Sequence, residues 1–234
     1  MRIRVLAVLL LIISGPLARA DAPKGSIKGT VLFEGEPPER AKLVRDSDPY
    51  CNKTEKLSED FVVTKGKLKD VLVRIKVGTA GKHAAPSAPV VIDQQQCMYT
   101  PRVVGVMAGG KLAVRNSDGT FHNVHGTVNG KFLWNKPQAE KSPDLTVDVP
   151  QAGDVIDIVC DVHPWMHSYA VVTDHPFFAV TGADGAFEIK GLAPGDYTLE
   201  AWHPKLGTKT MTVKIGTGPK AAITARFSYK RSEM

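Results

Sequence analysis

Short apolar runs separated by Gly, Pro, Asp and Asn recur along the chain, and no stretch holds a helical period. Ser26 to Phe33 and Asp70 to Val77 predict strands; in the second, Val71, Val73, Ile75 and Val77 alternate. Between them, Glu36 to Asp60 is polar and proline-bearing, which predicts a long loop or a short helix around Cys51. Thr79 to Pro89 is poor in β-formers and reads as a linker. A denser series follows, at Val90 to Ile92, Arg102 to Met107, Lys111 to Arg115, Phe121 to His125, Leu145 to Val149, Val155 to Cys160 and Ser168 to Val172. Asn135 to Pro143 reads as an exposed loop within it. After Asp174-His175-Pro176, five further short runs end at Ser228. The fold class this predicts is all-β: a β-sandwich followed by a smaller β-sandwich.

The first twenty residues have the pattern of an export signal. Arg2 and Arg4 precede an unbroken apolar run from Val5 to Ile13, and Ala18-Arg19-Ala20 offers a small-x-small cleavage site. The run is too short for a membrane-spanning helix, and no later segment is apolar enough for a stable membrane span. The expected organisation is therefore 1–20 signal peptide, 21–89 N-terminal β extension with its long loop, 90–175 central domain and 176–234 C-terminal sandwich. The expected location is the periplasm or another exported compartment.

Half of the formal charge of +6 resides in the arginines of that leader. The remaining lysines are scattered, with no aromatic-basic stripe, so nucleic acid is not an expected partner. Three cysteines in an exported chain leave one over. Cys160 stands among His and Met residues whereas Cys51 and Cys97 do not, so the expected disulfide is Cys51 to Cys97. In the chain-entropy picture such a loop contributes roughly 4 kcal/mol.

The informative segment is Cys160-Asp161-Val162-His163-Pro164-Trp165-Met166-His167, with core spacing C-x2-H-x2-M. A strand delivers Cys160, and a tight loop bearing Pro164 lets His163 and Met166 converge with it. Phe121-His122-Asn123-Val124-His125 offers a second imidazole from upstream. Thiolate, imidazole and thioether together favour copper among biological metals, as in the trigonal His2Cys site with a weak axial Met.

With these residues in view, the stretch from Val90 to Val172 resembles a cupredoxin, a type 1 blue copper protein of the amicyanin and plastocyanin kind. The likeness rests on F-H-N-V-H at Phe121 to His125 and C-D-V-H-P-W-M at Cys160 to Met166. It implies a Greek-key β-sandwich holding one type 1 copper ion through His122, Cys160, His163 and Met166. It also implies that Asn123 ties the two ligand segments together, and that His163 lies nearest solvent as the electron port, with an unidentified redox protein docking near it. Phe177 to Ser228, through G-A-F-E-I-K-G-L-A-P-G-D-Y-T-L, is similar to a carboxypeptidase-regulatory-like (transthyretin-type) sandwich.

The other candidates have plainer readings. His125 is three positions from His122 and points to the opposite face of an extended strand, so it reads as a surface or hydrogen-bonded histidine. His167 also points away, and whether these two form a second metal site stays open. His83, His175 and His203 read as solvated or hydrogen-bonded, Trp165 as a cover over the loop, and Arg102 as a solvated charge. No metalloprotease, nucleophile-elbow or P-loop pattern is present, so the expectation is a protein that is not an enzyme, with no catalytic residues. The reading is an exported electron-transfer protein cycling between Cu(II) and Cu(I). The alternatives are copper binding or delivery, or a surface-binding module with a structural copper.

Overall fold

The computed structural model describes residues 24–234, so the expected signal peptide lies outside the described residues. These residues form two packed β-sandwiches, connected through 78–89 and 174–177, with one long polar strap, an all-β fold. No helix among them is long and apolar enough to cross a membrane.

The first sandwich has a five-stranded sheet ordered Lys131–Gln138, His122–Val128, Val155–Val159, His167–Thr173 and Val103–Met107. Facing it is a four-stranded sheet ordered Leu145–Asp148, Lys111–Asn116, Val90–Gln94 and Tyr99–Thr100. Alternate residues of both sheets point inward, and Ile92, Leu112, Val114, Val124, Ile156, Ile158, Ala170 and Val172 fill the core. Cys160 and Met166 belong to the same cluster, so the C-x2-H-x2-M loop closes one end of this core.

Where Asn135 to Pro143 reads as a loop in the sequence, the structure has an edge strand, Lys131–Gln138. Pro137 is opposite Asn123 in it. Proline is tolerated there because an edge strand has one row of backbone groups that needs no partner. Trp134 lies over Gly126, where a Cβ would come 2.5 Å from the ring. That glycine is what lets the indole close over the strand that carries His122.

The second sandwich departs from the expected domain division. Gly25–Glu34 does not pack as an extension of the first sandwich. It runs parallel to Ala222–Lys230 over nine residue pairs and antiparallel to Ala186–Leu192. Leu72–Val77 likewise lies between Phe178–Val180 and Gly195–His203, with Gly207–Ile215 beyond. The smaller sandwich is thus built from 25–34 and 63–77 together with 178–230, and the first sandwich is inserted between its two parts. Local pattern identifies strands, but their pairing partners are set by long-range burial: Ile27, Val31 and Phe33 share one core with Phe187, Ile189, Phe227 and Tyr229.

Leu72–Val77 is buried on both faces over its first half, while Lys76 and Val77 are exposed. Val71, Val73 and Ile75 enter the second core, while Leu72 meets Val103 and Val171 of the first sandwich, with Phe178 and Trp202 around them. The strap 36–62 leaves the second sandwich and crosses the first. It carries one short 3-10 turn, Cys51–Lys53, and the Cys51–Cys97 disulfide pins it down.

Candidate metal centre

Each x2 spacing of the ligand-type loop closes as a turn. The His163 N–H donates to the Cys160 carbonyl at 3.2 Å, and the Met166 N–H donates to the His163 carbonyl at 2.9 Å. Pro164 occupies the second position of the latter turn, where its fixed φ is favoured. The chain therefore reverses directly after Val155–Val159 and returns as His167–Thr173. His122 opens the strand paired to the other side of Val155–Val159, which sets it beside the end that delivers Cys160.

The result is a buried convergence of three donors. Cys160 Sγ lies 3.9 Å from His122 Nδ1 and 3.7 Å from His163 Nδ1, and the two Nδ1 atoms lie 2.8 Å apart. Met166, held by the turn to His163, is fully buried in the core that includes Cys160. The remote ring nitrogens point the other way: His122 Nε2 is 3.0 Å from Asp118, and His163 Nε2 is 3.0 Å from Asp48. With each Nε2–H donated to a carboxylate, both Nδ1 lone pairs face inward. Two lone pairs and a sulfur at these separations repel unless a proton or a cation lies among them.

The surrounding charges match that geometry. Burial alone would push the Cys160 thiol up, but bonds from both imidazoles and from the Asn123 N–H, with the charge on His122, hold its pKa at about 6. Burial opposes a charge on His122, yet its bonds to Asp118 and Cys160 outweigh this and raise its pKa. Burial likewise works against the Asp48 carboxylate, but donors from Thr120, Tyr50, Cys51 and His163 lower its pKa.

Asn123 links the two segments: its Oδ1 accepts from the Asp161 N–H at 2.7 Å, and its Nδ2 donates to Asp161 at 2.7 Å. Its own N–H points to Cys160 Sγ at 3.5 Å. His125 stays on the outer face, with Nδ1 at 2.8 Å from Asp161. His167 lies near Tyr169 and Asp157 instead. Both are in register with Val159 from opposite sides, which separates their backbones by about 9.5 Å. The two rings thus have different partners.

His163 is the most exposed of the four expected ligands, as expected, but the structure corrects the expectation that it offers an open docking edge. His163 is only 3% exposed. The strap lies over it, Asp48 bonds its Nε2, and Cys51 Sγ stands 3.7 Å from the same atom. Trp165 covers another side, its ring 5.1 Å from that of His163 and its Nε1 donating to the Cys97 carbonyl at 2.9 Å. Arg45, also buried, fastens the strap through the carbonyls of Gln96, Cys51 and Thr54. Arg102 is buried too, rather than solvated, and bonds Asp60 at 2.6 Å.

Asp48, Asp118 and Arg45 went unseen in the sequence reading. Their signals were local but weak: Asp48 stands three residues before a disulfide cysteine, and Asp118 sits in the turn four residues before His122.

No family model matches the chain, and no curated protein matches it. Among solved structures, a purple cupredoxin from Nitrosopumilus maritimus is similar at 23% identity and a TM-score of 0.32, over 36% of this chain and 99% of that one. An oxidised proline-to-alanine variant of amicyanin is similar at 23% identity and 0.33, over 36% and 81%. The copper-containing nitrite reductase NirK from Thermus scotoductus SA-01 reaches 18% identity and 0.35, over 42% of this chain and 25% of that one.

Proposed function

We propose that this chain is an exported copper protein that carries single electrons, holding one type 1 copper ion through His122, Cys160, His163 and Met166. The observation that carries the reading is the convergence of two imidazole Nδ1 atoms and one thiol on a buried point, with both Nε2 atoms committed to carboxylates. The donor set fits copper: a thiolate with two neutral imidazoles and a thioether suits an ion that alternates between Cu(II) and Cu(I). When bound, the ion supplies a one-electron couple.

The residues of the chain do the rest. Cys160, with its pKa at about 6, meets a cation as thiolate at neutral pH. Asn123 and Asp161 fix the sulfur-bearing turn to the neighbouring strand, so the donors keep one arrangement through a change of charge. Four protein donors would leave the ion no open coordination position for a substrate, which favours a carrier over an enzyme. The cover over His163 favours it over a delivery protein, which must release its ion.

Repeated cycles of chemical oxidation and reduction test this. Retention of one copper per chain, with one electron taken up per cycle, supports a carrier. Loss of copper on each reduction overturns that role in favour of delivery.

A further inference from the structure

Each of the two imidazoles is backed by an aspartate, and each aspartate is held by the backbone beside one half of the disulfide. Asp118 accepts from the N–H groups of Gln96 and Cys97 at 2.6 and 2.8 Å. Asp48 accepts from those of Tyr50 and Cys51 at 2.7 and 3.3 Å, and from the Thr120 hydroxyl at 2.8 Å. The Cys51–Cys97 bridge thus joins the two loops that hold the two carboxylates. Arg45 adds bonds from the strap to both loops.

We propose that Asp48 and Asp118 are paired positioning residues for the metal site, and that the disulfide-pinned strap is a built cap through which Asp48 reaches His163. This rests on the reading of Cys160, His122 and His163 as copper ligands. A carboxylate accepting the remote N–H fixes the ring and its tautomer and makes the imidazole a stronger donor. Doing so at both rings favours the more highly charged Cu(II) state and lowers the reduction potential. It also replaces with a fixed carboxylate the solvent that would otherwise meet His163 Nε2.

The test uses the copper-loaded chain from residue 21 onward. Asp48→Asn keeps the side-chain shape and removes the charge; Asp46→Asn, at an exposed strap position, is the comparison. Asp48→Asn is expected to keep the thiolate-to-copper absorption while shifting the Cu(II)/Cu(I) equilibrium against a reference dye about tenfold toward Cu(I). For one electron that is about 59 mV. Asp118→Asn should shift it the same way, and Asp46→Asn not at all. A potential equal to that of Asp46→Asn overturns the proposal.

Proton NMR of the reduced, diamagnetic wild-type protein tests it without any variant. Two slowly exchanging imidazole N–H resonances are expected, one per ring; a slowly exchanging signal from His122 alone overturns it. If the wild-type protein lacks the thiolate-to-copper absorption, the ligand reading itself fails, a result distinct from an unshifted potential in a coloured protein.

Discussion

The Nδ1 atom of His122 lies 2.8 Å from the Nδ1 atom of His163, although the two residues are 41 positions apart in the chain. Nothing in the packing of two sheets requires two imidazoles to face each other in a buried core. Their remote nitrogens are each tied to an aspartate, so the inward lone pairs are left for a shared positive charge. The same relationship separates the proposed ligands from bystanders among the histidines. His122→Ala should lose copper binding in equilibrium dialysis. His125→Ala should keep it, losing only a partly exposed pair with Asp161 worth less than about 1 kcal/mol.

Met166 is fully buried at the turn that follows His163. Met166→Leu conserves volume, so its cost to stability should stay below about 1.5 kcal/mol. The thioether would be gone, and with it the proposed weak fourth donor of the site. The expected outcome is a copper-binding protein with a higher reduction potential and an altered copper hyperfine splitting in its paramagnetic resonance spectrum. An unchanged potential and spectrum would remove Met166 from the donor set.

The C-terminal sandwich depends on the start of the described chain. Residues 176–234 expressed alone would lack Ile27, Val31, Phe33, Leu68, Val71, Val73 and Ile75, all of them buried in the shared core. Ala222–Lys230 would also lose its parallel partner. Circular dichroism and thermal melting should find this piece unfolded, while a single chain joining 24–77 directly to 176–234 has the complete core and should melt cooperatively. A cooperative melt of 176–234 alone would contradict the pairing.

His203 sets a pH window for stability. Burial, with the charge on Arg102, lowers its pKa from 6.5 to about 4; its Nδ1 accepts the Lys205 N–H at 3.2 Å, which suits the neutral ring. The unfolded chain takes up this proton first as pH falls. The contribution is therefore complete above pH 6.5, is lost on the way down, and levels off below about 4. The loss between pH 7.5 and 4.5 is roughly 2–3 kcal/mol. Urea unfolding should lose that much less over this range in His203→Gln than in the wild type. Equal losses in both proteins would dismiss His203 as the source.

What could be read in the sequence was what is covalently local. C-x2-H-x2-M closes through two successive turns, and the alternation at Val71, Val73 and Ile75 marks a buried face whatever lies opposite. The odd cysteine and the crowding of His and Met around Cys160 point to Cys51–Cys97, the bridge that the structure contains. What could not be read depends on contacts made across the chain. Gly25–Glu34 looks like any short strand, and only the shared core reveals its partner at Ala222–Lys230. Asp48 lies 115 positions from His163 in a polar, proline-bearing strap that has no period of its own. For that reason an open histidine edge, natural for a bare loop, gave way to a covered one.

Whether Cys160 and two histidines grip one copper ion is read from a visible absorption spectrum. The chain from residue 21 onward, given one equivalent of Cu(II), should develop an intense thiolate-to-copper charge-transfer band, absent in Cys160→Ser. A colourless wild-type protein, or a band that survives in Cys160→Ser, would contradict it.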